Sequence, residues 1–283
     1  VGDQSLARAY RLEFEEMWGS DGLVPDPSNS KFGPAKTINT PKKFIIGGSP
    51  VELYFSPTDG TTSAILDAIQ STNYDFSFAT LAFTRNDLGA AVIEAGSSLF
   101  VNPRGAMEDA GSTGSEFDAL VDAGIEVYSH VGISGQLHHK YCIVDHSEPL
   151  SDPTVVTGSH NWSTTAETTN DENTLVIHDE RIANLYFQEF TGLLNAMGVG
   201  VNELATSKIL CRIFPNPADS RISIQITDLQ SIGQNLILRD ASGRVVLSEQ
   251  INSMTQDVVI GQLSAGIYLA QFGNSMPTQL VVR

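Results

Sequence analysis

The feature that most restricts the fold is a change of periodicity near residue 209. Between residues 44 and 196, apolar strand-like runs alternate with amphipathic helical segments. Beyond Ile209 every apolar run is short and alternates with period two, and no helical period survives. A chain of 283 residues has room for one domain of each texture.

In the first texture, VELYFSP (51–57), YDFSFATLAF (74–83), LFVNPRGAMED (99–109), IEVYSH (125–130) and NTLVIH (173–178) read as strands. Helices are expected at 61–72, 86–96, 115–124 and 180–196, with a turn or short helix at 163–169. Asp59 or Thr61 can cap the first helix, and Gly96 and Gly124 close the next two. Pro103 should weaken its strand. This alternation implies an α/β domain over 44–197, a mixed sheet with helices on both faces. Residues 19–43, rich in Gly, Pro, Ser and Asn, read as a connector whose Lys31, Lys36, Lys42 and Lys43 are solvated. A second linker is expected at 198–208. Strands at 221–226, 235–240, 244–249, 257–263, 266–272 and 278–283, with turns at 241–243 and 264–266, make residues 209–283 a small all-β sandwich.

Residues 1–18 form a cap and an amphipathic helix, with Leu6, Ala7, Tyr10, Phe14, Met17 and Trp18 as the packing set. At a constant offset of 176 this segment repeats in 177–194: Asp3 matches Asp179, Ala7 Ala183, Tyr10 Tyr186, and Glu13-Phe14 Glu189-Phe190. It therefore reads as an internal repeat, the tail helix of a preceding module. Val1-Gly-Asp-Gln is not an initiator context and no leader follows it, so the start is expected to be a processed or truncated end. No run approaches the length of a transmembrane helix.

The chemistry gathers in LHHKYCIVD and VVTGSHNW. Read as strands, they turn His138 and Lys140 to one side, and Ser159 and Asn161 likewise. His138 offers nucleophilic or acid–base nitrogen, Lys140 a point charge for phosphate oxygens, and Ser159 and Asn161 neutral donors. Asp145, an odd number of positions from His138, falls on the other face or past the strand end, which suits an orienting or structural carboxylate. Gly-rich loops at 111–116 and 131–136 could approach a ligand or be ordinary turns, and Arg104 is a phosphate contact or, more simply, an ion-paired surface residue. His130, His139, His146, His160 and His178 are not assigned chemistry.

The order His-x-Lys-x4-Asp followed by Gly-Ser-x-Asn resembles the HKD signature of the phospholipase D superfamily, complete here as His138, Lys140, Asp145, Ser159 and Asn161. TTAETTNDENTLVI resembles the family's tail, with Glu172 where the family has an acidic residue reaching the same site. The resemblance covers about residues 44–195 and implies an α-β-α sandwich. It also implies a phosphodiesterase in which two HKD elements meet across a twofold or pseudo-twofold axis, one His forming a phospho-histidine and the other protonating the leaving alcohol. No cofactor or metal is required by that scheme. The second element would come from an upstream module or from a homodimer partner. FPNPADSRISI, DASGRVV, LSAGIYLAQF and the terminal LVVR resemble the C-terminal sorting domain of the type IX secretion system in Bacteroidetes-type bacteria. That implies contact with the secretion machinery and a secreted or cell-surface location.

Charge bears on the substrate. Residues 1–200 carry ten Lys and Arg against 27 Asp and Glu, which weakens long-range attraction for nucleic acid or anionic membranes without excluding a local basic groove. The leading expectation, from the resemblance, is a secreted phosphodiesterase acting on phospholipid head groups or related diesters, and the acidity leans only slightly against a nuclease. The alternatives are an endonuclease of the same superfamily and a non-catalytic surface binding protein. Cys142 and Cys211, far apart, imply neither a disulfide nor a metal site, with Cys142 a buried free thiol.

Overall fold

The computed structural model describes residues 2–98, 101–199, 211–226, 231–240, 243–273 and 278–283. It divides into two compact units, Val1–Val199 and Gly200–Arg283. The linker expected at 198–208 lies outside the described residues from Gly200 onward, as do the first two residues of the turn expected at 241–243.

The first unit is built on one mixed sheet. Its strands are β1 (Lys43–Ile46), β2 (Ser49–Ser56), β3 (Asp75–Thr80), β4 (Asn102–Met107), β5 (Glu126–Ser129), β6 (Lys140–Val144), β7 (Thr154–Gly158) and β8 (Glu172–His178). They lie in the order β1-β2-β8-β7-β6-β3-β4-β5. The β3–β4 and β4–β5 pairs are parallel and the others antiparallel. Around them run α1 (Gln4–Trp18), α2 (Thr61–Gln70), α3 (Asn86–Gly96), α4 (Phe117–Asp122), α5 (Thr164–Thr168) and α6 (Glu180–Ala196).

Strand alternation decides which helix covers which face. Cys142, Val156 and Val176 are neighbours across β6, β7 and β8, and they share a core with Ile65, Ile69, Leu88 and Val92 of α2 and α3. One position along, Tyr141, Thr157, Leu175 and Leu53 point the opposite way. There Tyr186 of α6 meets Tyr141 and Thr157, while Leu6 and Ala9 of α1 pack on Val51, Leu53 and Phe55. Helices thus cover both faces, as the alternating pattern requires.

The two segments matched at offset 176 are both helices, α1 and α6. Asp3 caps α1 and Asp179 caps α6, each through its carboxylate. Tyr10 and Tyr186 each turn a hydroxyl onto a side-chain oxygen of the sheet, Asn173 Oδ1 and Thr157 Oγ1, both at 3.1 Å.

Several local expectations are corrected. The buried stripe of α1 is Leu6, Ala9 and Glu13, whereas Ala7 and Phe14 are exposed. Glu13 faces inward because it meets Lys36, which is itself buried and bonded to Asp171 (3.0 Å) and the Ser56 carbonyl (2.8 Å). Lys36 is therefore not a solvated connector residue; its desolvation is offset by two carboxylates and a carbonyl. Neither Asp59 nor Thr61 caps α2, since the cap is Gly60 and Asp59 accepts the Phe55 N–H at 2.8 Å. Gly96 is the last helical residue of α3, followed by Ser97; its glycine answers to packing, because a Cβ there would fall 2.5 Å from Ile125 Cδ1. Pro103 does not interrupt β4, which runs through it from Asn102 to Met107 in the interior of the sheet. Strand β5 begins opposite Arg104, so the proline has a paired neighbour on one side only.

The second unit has two antiparallel sheets. One joins β9 (Cys211–Phe214), β10 (Arg221–Ile226) and β13 (Thr255–Val259). The other joins β11 (Asn235–Arg239), β12 (Val245–Gln250), β14 (Gly266–Phe272) and β15 (Thr278–Val282). Ile222 and Ile224 of the first sheet and Leu236, Leu238 and Phe272 of the second fill one core, the arrangement of a small sandwich. Strand β9 had not been expected.

Candidate active site

Strands β6, β7 and β8 form an antiparallel meander, so the start of β6, the end of β7 and the start of β8 meet at one end of the sheet. His138, Lys140, Gly158, Ser159, Asn161, Glu172 and Asn173 all lie there, around a cleft of about 440 Å³. Five of the six sequence candidates thus come together, and the sixth does not.

His138 is exposed and precedes β6 instead of lying on it. The ladder to β3 ends at Thr80–Lys140 and that to β7 at Tyr141–Thr157. Beyond the ladder the His139 carbonyl still accepts the Leu81 N–H at 2.8 Å, which pins the backbone one residue after His138. Lys140, 7% exposed, donates its Nζ to the His138 carbonyl at 2.9 Å. Burial pushes its ammonium below the usual lysine range, and the nearby Glu172 carboxylate pulls it back up. Glu172 also accepts the Asn170 amide at 3.1 Å.

Strand β7 closes on Gly158 and the motif continues with alternating direction. Ser159 and Asn161 line the cleft; His160 and Trp162 are 2% and 1% exposed in the interior. Trp162 packs edge-on against Phe83 at 4.7 Å, which anchors the segment. Gly158 has to be glycine, because a Cβ would sit 2.0 Å from the Asn173 carbonyl oxygen. That carbonyl accepts the Ser159 N–H at 3.0 Å.

Asp145 stands at the other end of β6, five strand residues or roughly 17 Å from the cleft. It is fully buried. Its carboxylate accepts the backbone N–H groups of Asn73, Tyr74 and Asp75 and the Ser151 hydroxyl. It belongs to the scaffold of β3 and β6, not to the cleft. Arg104 is ion-paired with Glu126 at 2.7 Å, and neither Gly-rich loop lines the cleft. Each remaining histidine has a carboxylate beside it: His130 with Glu108, His139 with Glu189, His146 with Asp75, His160 with Glu167 and His178 with Asp152. Sequence reasoning passed over Asn173, next in line to Glu172. It also missed Tyr10, whose hydroxyl reaches Asn173 across 163 positions. Both cysteines are free, and burial raises the Cys142 thiol far above its ordinary value.

A histidine, a buried lysine, two neutral donors and a carboxylate thus meet at one end of a mixed sheet, a set able to hold a phosphate group. Residues 65–194 match the family described as "Cardiolipin synthase, PLD-like domain", and residues 212–282 match the "Secretion system C-terminal sorting domain". The chain thus carries a phospholipase D-like domain followed by a secretion sorting domain. Among curated relatives, mitochondrial cardiolipin hydrolase of Mus musculus is 30% identical over 150 residues, covering 50% of this chain and 61% of the mouse protein. That of Xenopus tropicalis is 40% identical over 82 residues, covering 29% and 36%. The chain therefore spans about a third to three fifths of the length of these relatives. Among solved structures, the phospholipase D family member Nuc from Salmonella typhimurium aligns with 26% identity over 52% of this chain and 94% of that one, TM-score 0.45. NucT from Helicobacter pylori aligns with 19% identity over 52% and 96%, TM-score 0.46.

Proposed function

We propose that the first unit is a phosphodiester hydrolase of the phospholipase D type that cleaves phospholipid head groups or related diesters. The observation that carries this reading is the convergence of His138, Lys140, Ser159, Asn161 and Glu172 on one cleft. In the proposed cycle an imidazole nitrogen attacks phosphorus and the P–O bond to the alcohol breaks. A second imidazole on the opposite side protonates the departing oxygen and then takes a proton from the water that cleaves the P–N bond. Lys140 and the donors Ser159 and Asn161 hold the equatorial oxygens. The second imidazole comes from an upstream module, of which α1 is the tail helix, or from a second copy of this chain. In the tandem arrangement His138 is the acid; in a homodimer it takes either part.

The lipid assignment draws support from the cardiolipin synthase and cardiolipin hydrolase names of the matching family and relatives. The sorting domain supports export by type IX machinery to the outside or surface of a Bacteroidetes-type cell. The test is hydrolysis of bis(p-nitrophenyl) phosphate with and without chelator, beside His138→Ala, followed by phosphatidyl-lipid vesicles against single-stranded DNA. Turnover that survives the substitution would overturn the reading, and a preference for DNA would replace the lipid assignment with the endonuclease one. If the 283-residue chain is silent, a His-x-Lys-x4-Asp about 38 residues upstream of Val1 in the full coding sequence is the expected missing half.

A further inference from the structure

Ser159 Oγ accepts two hydrogen bonds from one residue, from Asn173 N at 3.1 Å and from Asn173 Nδ2 at 3.2 Å. With both lone pairs engaged, the hydroxyl proton has to point elsewhere, and Ser159 lines the cleft. This works only with the Asn173 amide in one orientation. Turned over, the amide would present Oδ1 to Ser159 and take the hydroxyl proton for itself. On the far side of the amide the Tyr10 hydroxyl donates to Oδ1 at 3.1 Å, which leaves Nδ2 for Ser159. The Tyr10 ring is seated edge-on against Phe55, centroids 5.2 Å apart. Burial raises its phenol above the ordinary value, so the hydroxyl keeps its proton.

We propose that Tyr10 of α1 is a positioning residue: it fixes the Asn173 amide and thereby keeps Ser159 a hydrogen-bond donor to a phosphate oxygen bound in the cleft. The proposal rests on the phosphodiesterase reading of that cleft. It makes the first helix part of the active site, in addition to its packing on β1 and β2.

The experiment compares wild type, Tyr10→Phe, Ser159→Ala and the double variant in the full chain. Phe keeps the ring contact with Phe55 and removes one oxygen. The readouts are kcat and KM for bis(p-nitrophenyl) phosphate, affinity for inorganic vanadate as a phosphoryl-transfer mimic, and the thermal midpoint. The expected result is a loss of about three- to tenfold in kcat and in vanadate affinity for Tyr10→Phe, the worth of one neutral hydrogen bond. KM and the midpoint stay near wild type, and there is no further loss when Ser159 is already Ala. A merely structural tyrosine would lower the midpoint and act independently of Ser159. Vanadate affinity unchanged by Tyr10→Phe, an additive effect with Ser159→Ala, or vanadate binding to neither protein overturns the proposal. Tyr10-dependent vanadate binding without hydrolysis upholds the positioning; the hydrolase reading then stands or falls on restoring the second HKD element.

Discussion

Tyr74 donates its backbone N–H to the Asp145 carboxylate at 2.8 Å, fastening the turn before β3 to the end of β6. Asn73, Asp75 and Ser151 converge on the same two oxygens, so the third member of the HKD signature acts as an anchor. Asp145→Ala would leave these donors buried and unpaired, at about 1–3 kcal/mol for each group that water does not reach. The expected outcome in urea unfolding is a loss of about 3 kcal/mol or more. In protein that remains folded, turnover should stay within about threefold of wild type, because no contact in the cleft is removed.

Gly158→Ala tests the junction of β7 and β8. The new methyl would meet the Asn173 carbonyl oxygen at 2.0 Å, and backbone is what has to move. Separation of the strands would stretch the 3.0 Å bond from Ser159 N to that carbonyl. A loss of about 1–3 kcal/mol is expected from overpacking, with turnover falling roughly a hundredfold as Ser159 is displaced. Calorimetry and steady-state kinetics on the same preparation check both.

How much of this was legible depends on the distance over which the deciding contact acts. Helices α3 and α6 run over the spans their periodicity predicts, because local pattern and tertiary burial agree. The cleft was legible because a β6-β7-β8 meander returns a short stretch of sequence to one place. Phe14 was misassigned as a packing residue. Its hydropathy is local, but the burial of Glu13 is decided by Lys36 and Asp171, 23 and 158 positions away. Pro103 was judged on strand propensity alone, without knowing that β5 would begin beside it. Asn173 left only a faint signal, its place next to Glu172. Tyr10 left none.

The Glu13–Lys36–Asp171 cluster carries its own prediction. Lys36 is 5% and Glu13 4% exposed. Burial raises the Glu13 carboxyl despite the pull of Lys36. Lys36→Met removes the cation and leaves Glu13 facing the interior unpaired, which should cost about 3–5 kcal/mol. Adding Glu13→Gln to that variant should recover part of the loss, since the stranded charge is gone. Urea unfolding of the four proteins gives the coupling between the two residues. A double variant no more stable than Lys36→Met would refute the ion-pair account.

Acid should loosen the sheet through Asp75. Burial alone would raise its carboxyl, but hydrogen bonds from His146 and Ser147 outweigh burial and hold it below its ordinary value of 3.8. The unfolded chain therefore binds the proton more tightly than the folded one. The stabilisation is complete above the ordinary carboxylate range and is lost as pH falls through the lower folded value. Wild type should lose stability steadily as the pH drops below about 4. Asp75→Asn should be less stable at pH 6, with the gap narrowing toward pH 3 because the protonated aspartic acid also lacks the charge. A gap of constant size across that window, measured by urea unfolding at each pH, would mean that the His146 and Ser147 contacts do not depend on the Asp75 charge.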